Sequence, residues 1–185
     1  ISIDAEAEGF NKAFIEGRHP RTAVGRTSQG DLMFVAIDGR QKMSVGVTLQ
    51  EEAEILKNLG CVDAINLDGG GSTCLNVFGL NMNRPSEKTG ERPVANGIVF
   101  YGPRQLTAEQ KLRIIVPATI SANGIGQARV IDINGKVIPN IEVFWSLQGS
   151  AWVDQGGQVT GVEAGTATLE AFVRGMNIST KIVIK

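Results

Sequence analysis

The 185-residue sequence carries one histidine and two cysteines. The usual zinc ligand set of Cys and His side chains cannot be assembled from them, so no zinc site is expected. Long apolar runs are missing as well. No stretch reaches the ~18 residues that a membrane-spanning helix needs, so no span is expected. Charge of one sign is lacking: 18 Lys and Arg stand against 19 Asp and Glu. Residues 1–103 hold 10 basic and 13 acidic groups and residues 104–185 hold 8 and 6. Neither half is the basic block that a nucleic-acid partner calls for. What remains is a chain with 42% hydrophobic residues and 23 glycines. It is rich in loops, apolar enough for a core, and long enough for one large domain or two small ones.

The glycines gather where they matter most. Asn66-Leu67-Asp68-Gly69-Gly70-Gly71-Ser72-Thr73 sets one carboxylate before three glycines and two hydroxyls. Ala64-Ile65 leads in and Cys74-Leu75-Asn76-Val77 leads out. A strand that ends in such a loop brings bare backbone N–H groups close to an anion. Asp68 stands at the lip of that loop, and Ser72 and Thr73 add donors. An acid beside an anion cradle suits a site that handles phosphoesters or glycosides. The same residues also suit a tight turn between buried strands, with Asp68 chosen for turn chemistry. Cys61 and Cys74 flank the loop, open between a disulfide and two free thiols.

Before Gly102-Pro103, helix and strand signals mix. Thr48 with Glu51 makes a capping box, and Leu49, Ala53, Leu56 and Leu59 follow at helical spacing beside Ile55. Gly60 ends that helix, and Ile65 to Leu67 reads as a buried strand. Strand, helix and strand, with the glycine loop at the last strand's carboxyl end, is the wiring at whose strand ends ligands bind. After Gly102 the helix signals nearly stop. Short runs recur at 112–116, 127–133, 141–147, 151–153, 166–173 and 178–184, and Asn134-Gly135 is a type I′ hairpin signal. This spacing predicts a β-sandwich, with Trp145 and Trp152 in its core. The expected fold class is α+β, a mixed sheet with helices, over residues 1–103 and an all-β sandwich over 104–185. The boundary is expected near Gly102-Pro103-Arg104.

Six elements occur in order between about residues 19 and 101. They are Arg21-Thr22-Ala23-Val24-Gly25, a strand ending in Asp38-Gly39-Arg40, Gly46-Val47-Thr48-Leu49-Gln50-Glu51-Glu52-Ala53, the glycine loop, Asn83-Arg84-Pro85, and Arg92-Pro93-Val94-Ala95-Asn96. The series resembles the phosphodiester glycosidase family, and in particular the C-terminal half of its catalytic domain. Nothing here matches the asparagine- and glycine-rich first half of such a domain. With Ile1 in place of Met, the chain is expected to be a trimmed, cleaved or subcloned piece. Its expected partner is the missing N-terminal half or a second copy of itself. Residues 106–185, through Gly157-Gln158-Val159-Thr160-Gly161 and on to Leu169, resemble the bacterial Ig-like domains of group 2. Together the two resemblances imply an extracellular or cell-envelope protein acting on envelope or exopolysaccharide glycans, and that setting would permit a disulfide.

The first resemblance implies hydrolysis at a sugar anomeric carbon, with a phosphate monoester as the leaving group and no cofactor. Asp68 is expected as general base or as stabiliser of an oxocarbenium-like centre. Arg21 is expected to grip the diester phosphate with its planar fork, and His19 to protonate the leaving group. Thr22, Gly69, Gly70, Gly71, Ser72, Thr73, Asn83, Arg92 and Asn96 are expected to line the substrate and its phosphate. Asp38 has a turn reading beside a direct one. Ordinary glycosidases use a carboxylate pair, and the sequence nominates only Asp68. Two rival readings stand beside this one: a non-catalytic envelope or polysaccharide-binding protein, and a phosphoesterase that cleaves the P–O bond.

Overall fold

The computed structural model describes residue 9, residues 11–102 and residues 111–185. The expected boundary at Gly102-Pro103-Arg104 runs into residues outside that set. Strands dominate and helices are few. The chain divides into two compact units. One comprises the residues up to Leu75 with Asn83–Gly97, the other Asn76–Met82 with Ile98–Lys185.

The first unit begins with a single turn of helix, α1 (Lys12–Glu16), capped by the Asn11 side chain. Strands β1 (Arg21–Thr27) and β2 (Leu32–Ile37), helix α2 (Leu49–Asn58) and strand β3 (Cys61–Asn66) follow. The Thr48–Glu51 capping box forms as its spacing predicts, and Gly60 follows the helix at φ +86. The sheet order is β2-β1-β3, and β1 runs antiparallel to both neighbours. β2 and β3 therefore run the same way. The start of β1 lies beside the ends of β2 and β3, since Arg21 pairs with Ile37 and Ala23 with Asn66. Everything just before β1, just after β2 and just after β3 meets at one edge of the sheet.

Side chains alternate across the sheet. Arg21, Ala23, Gly25 and Thr27 are buried on one face of β1. Ala23, Leu56 of α2 and Cys61 make its small core with Met33, Val35 and Ala64. Gly25 is required there, because a Cβ would come within 2.4 Å of Cys61 Sγ. On the other face Val24, Phe34 and Ala36 are half-buried, while Leu32 is 57% and Ile65 63% exposed. Cys61, the first residue of β3, is buried, Cys74 is half-buried, and no disulfide joins them. Ile98 and Phe100 lie in an exposed stretch without strand structure.

The second unit contains a two-residue hairpin of β4 (Asn76–Val77) and β5 (Leu80–Asn81). The remaining strands are β6 (Arg113–Ile115), β7 (Thr119–Ile120), β8 (Ile125–Gln127), β9 (Arg129–Ile131), β10 (Val143–Gly149), β11 (Ala151–Val153), β12 (Gln158–Gly161), β13 (Gly165–Val173) and β14 (Met176–Ile184). They form the sheets β10-β13-β14-β7, β11-β12-β8 and β6-β9. One core gathers inner-face residues from all three, including Val130, Trp145, Val159, Leu169 and Ile182. Trp145 is buried as expected, but Trp152 is only half-buried. Asn134-Gly135 does turn the chain, but only Gly135 has positive φ, so the type I′ expectation fails. The Asp132 carboxylate accepts from the N–H groups of Asn134 and Lys136 and closes the turn instead.

Candidate functional site

The glycine loop follows β3 and coils into one turn of 3₁₀ helix over Gly70–Ser72. The turn uses up much of its own backbone. The N–H groups of Ser72 and Thr73 donate to the Gly69 and Gly70 carbonyls, and that of Gly70 donates to Pro20. Three donors that the sequence suggested for an anion are thus already engaged. The glycines serve close approach. A Cβ on Gly69 would lie 2.7 Å from the Pro20 carbonyl oxygen, and one on Gly71 would lie 2.2 Å from the Glu87 carboxylate.

Side chains supply what the backbone does not. The guanidinium of Arg40 lies where a Gly70 Cβ would be 3.2 Å from it. Arg92 donates to Ser72 Oγ and stands 3.7 Å from Asp68 Oδ2. Arg40 also lies 3.2 Å from His19 Nδ1. A guanidinium can only donate, so Nδ1 is the acceptor and the ring proton belongs on Nε2. Two cations, one hydroxyl and the Asp68 carboxylate thus stand at the loop, and the His19 imidazole stands beside Arg40. The Asp68 side chain is 78% exposed. Arg40 is the residue that sequence reasoning missed, although it closes the quoted Asp38-Gly39-Arg40 element. Its φ of +56 is rare for a residue with a side chain. The turn around it is packed onto His19 and Pro20: a Cβ on Gly39 would meet Pro20 N at 2.6 Å, and one on Gly46 would meet His19 O at 2.4 Å.

Arg21 is not part of this group. Its position in β1 turns it to the α2 face, opposite Thr22. It is 1% exposed, and it donates to the carbonyls of Phe14, Gly17 and Val47. Its guanidinium also lies 4.8 Å from the Phe14 ring centroid. The nearby charge is Glu52, 2% exposed, whose Oε1 finds no hydrogen-bond partner among the described residues. Burial pushes Glu52 up to about 7, against the opposing pull of Arg21. The Arg21 bonds tie α1 and the residues just before α2 to β1. Glu52 was legible in principle: it stands three residues after Leu49 and four before Leu56, on the apolar stripe of α2.

The remaining expected residues support the loop. Asn83 is buried; its side chain accepts from Leu75 N at 2.7 Å and donates to Thr73 O and Asp38 Oδ1, both at 3.1 Å. Asp38 accepts in addition from Arg84 N. Burial raises its pKa, partly offset by these hydrogen bonds. The hydroxyls of Thr22 and Thr73 bond each other at 3.2 Å, which links β1 to the loop. Asn96 lies in the exposed stretch after Arg92. Among the described residues no group of three or more His, Cys, Asp and Glu side chains is arranged to hold a metal.

Comparison with known proteins places the chain in a family. The family model described as phosphodiester glycosidase matches residues 1–101. The SPbeta prophage-derived uncharacterized protein YomE of Bacillus subtilis is 36% identical over 86 residues, which is 46% of this chain and 13% of that protein. The N-acetylglucosamine-1-phosphodiester alpha-N-acetylglucosaminidase of Bos taurus is 39% identical over 82 residues, 44% of this chain and 15% of the relative. Its Homo sapiens counterpart is 38% identical over 105 residues, 54% of this chain and 20% of the relative. The chain therefore spans no more than 20% of the length of these curated relatives. The family model covers more than half of the chain, and the chain belongs to the phosphodiester glycosidase family.

Proposed function

We propose that the glycine-loop edge belongs to a hydrolase site for a sugar-1-phosphodiester. Water attacks the anomeric carbon, the C1–O bond breaks, and its electron pair leaves with the phosphate monoester. Such a leaving group needs little protonation, so the site's main task is to hold phosphate charge. Arg40 and Arg92 take that task as fixed cations, in place of Arg21, which serves as a structural brace. Asp68 activates the water or stabilises positive charge at the anomeric carbon. His19, with Nδ1 accepting from Arg40 and Nε2 against Gly17, positions that guanidinium. Glu87, packed against Gly71, is the nearby second carboxylate that the sequence did not nominate. The observation that carries this reading is the placement of two guanidinium groups beside the glycine loop and the Asp68 carboxylate. The substrate class follows from the relatives' printed activity, and the envelope or exopolysaccharide glycan from the likeness of residues 106–185 to bacterial Ig-like domains of group 2. On the same basis the protein is extracellular or envelope-bound. The first unit is the α+β part of a larger family domain, whose remaining part, or a second copy of this chain, closes the exposed Leu32–Ile65 face.

The test is hydrolysis of a sugar-1-phosphodiester in ¹⁸O-labelled water by the full-length protein. Label on the sugar supports the glycosidase. Label on the phosphate means P–O cleavage, and no turnover with retained glycan binding means a binding protein; either refutes the reading.

A further inference from the structure

Within the C-terminal unit, one segment is out of place in sequence. Asn76–Met82 clusters with Ile98–Lys185, yet it lies inside the family-matched span. It is the β4–β5 hairpin. Its turn residues, Phe78 at φ +54 and Gly79 at φ +85, both take the positive φ of a type I′ turn, which favours Asn, Asp or Gly at the first position. A phenylalanine there is strained, and strain persists where surrounding structure imposes it.

The imposing structure is the outer face of the β10-β13-β14 sheet. The Phe78 ring stacks on Phe172, centroids 4.1 Å apart and 16° between planes, and meets Phe144 edge-on at 5.6 Å. Phe144 and Phe172 are direct cross-strand partners, and Phe172 is paired in turn with Asn177. Asn177 donates to the Phe78 carbonyl at 3.3 Å, and the Ser146 hydroxyl donates to that of Asn81. Leu80 is 3% exposed. Outward-facing Ser146, which would otherwise meet water, is 2% exposed. The hairpin's own bonds, Gly79 N to Asn76 Oδ1 and Asn76 Nδ2 to Asn81 Oδ1, make it a preformed plug.

Both ends of the plug are site scaffolding. Leu75 precedes it and Asn83 follows it by one residue, and these two are bonded to each other, with Asn83 also holding Thr73 and Asp38. We propose that Phe78 is a latch, by which the C-terminal β unit grips the hairpin and fixes the chain where it leaves the glycine loop. Phe78 is then a positioning residue for the Leu75–Asn83 bond at the ends of the hairpin.

Hydrogen exchange on the full chain tests this, with the Leu75 and Gly79 amides as reporters. Phe78→Asn supplies the better turn former but removes the ring. The latch predicts loss of protection of about tenfold or more at both amides, while Phe78→Tyr, which keeps the ring, retains it. Unchanged or increased protection in Phe78→Asn overturns the proposal, because relief of turn strain alone would stabilise the hairpin. Equal losses in both variants also overturn it, since the ring would not be the cause. Ser146→Ala combined with Asn177→Ala, on the outer face of the sheet, should loosen the same two amides while leaving the β14 amides protected. Protection retained at both amides in that double variant would refute gripping by the β unit. None of these readouts depends on hydrolysis, so their failure and that of the proposed activity are separable.

Discussion

Replacing Glu52 by Gln is expected to stabilise the first unit at neutral pH and to change little in acid. Glu52 is 2% exposed, and one of its carboxylate oxygens has no hydrogen-bond partner among the described residues. Burial lifts its pKa from 4.5 to about 7, with Arg21 pulling the other way. The folded chain therefore keeps this proton in a range where the unfolded chain has lost it. The stability linked to the proton is fully present below about pH 4.5 and is lost as pH rises through about 7. A gap of that size corresponds to about 3 kcal/mol. Gln removes the titration, so the variant should gain on the native protein by up to that amount as pH rises from acid to about 8. Cys61, buried beside Leu56, supplies the assay. In a Cys74→Ser background, the urea dependence of Cys61 labelling reports opening of this unit alone, which avoids assuming that two units unfold as one. The same stability difference at both ends of the pH range would refute the argument. So would a less stable variant at pH ~8, since the Arg21 attraction would then outweigh desolvation.

Asp68→Asn should lower turnover of the full-length enzyme by ~10²–10⁴ and leave stability nearly unchanged, because the side chain is 78% exposed; unchanged turnover, or a large drop in melting temperature, would remove Asp68 from the chemistry. Gly69→Ala should destabilise more than Gly71→Ala in thermal unfolding, because its Cβ meets the Pro20 backbone whereas that of Gly71 meets the movable end of Glu87; the reverse order would mean that the loop yields at Pro20. Gly25→Ala should cost about 1–3 kcal/mol by overpacking against Cys61 and Leu56, read by the same thiol-labelling assay. The isolated chain should self-associate in light scattering, and Leu32→Lys with Ile65→Lys should return it to its 19.7 kDa monomer; a native monomer would show that this face needs no second copy.

The sequence was most legible where short-range rules act. The capping box at Thr48 and Glu51, the stop at Gly60, and the strands β10, β13 and β14 follow from spacing and alternation alone. It was least legible where contacts cross long stretches of chain. Arg21 and Thr22 read as one motif, but adjacent residues on a strand face opposite ways. One was bound to enter the α2 side and the other to leave it. Which was which depended on the register of β1 against β3, which no local pattern specifies. The hairpin at Phe78-Gly79 went unread because a phenylalanine in its turn is the wrong local signal. The hairpin signal at Asn134-Gly135 proved only half right, because Asp132 closes that turn with its own carboxylate.

The edge of the sheet explains why the site draws on three separated segments. With β1 antiparallel to both neighbours, only residues before β1 and after β2 or β3 can meet there. His19, Arg40 and Asp68 occupy those three places, each within three residues of a strand end. A strand end fixes a backbone more firmly than the middle of a loop. What remains free is the short turn that carries Arg40, and that turn is fixed by the close approaches of Gly39 and Gly46 to Pro20 and His19. The backbone that carries Arg40 is therefore held by close packing, and its guanidinium lies 3.2 Å from His19 Nδ1. Arg92 differs. It sits on an exposed stretch and reaches the loop only through Ser72 and Asp68. The two arginines thus differ in how they are held: Arg40 by a turn packed on Pro20 and His19, Arg92 by its side-chain contacts to Ser72 and Asp68.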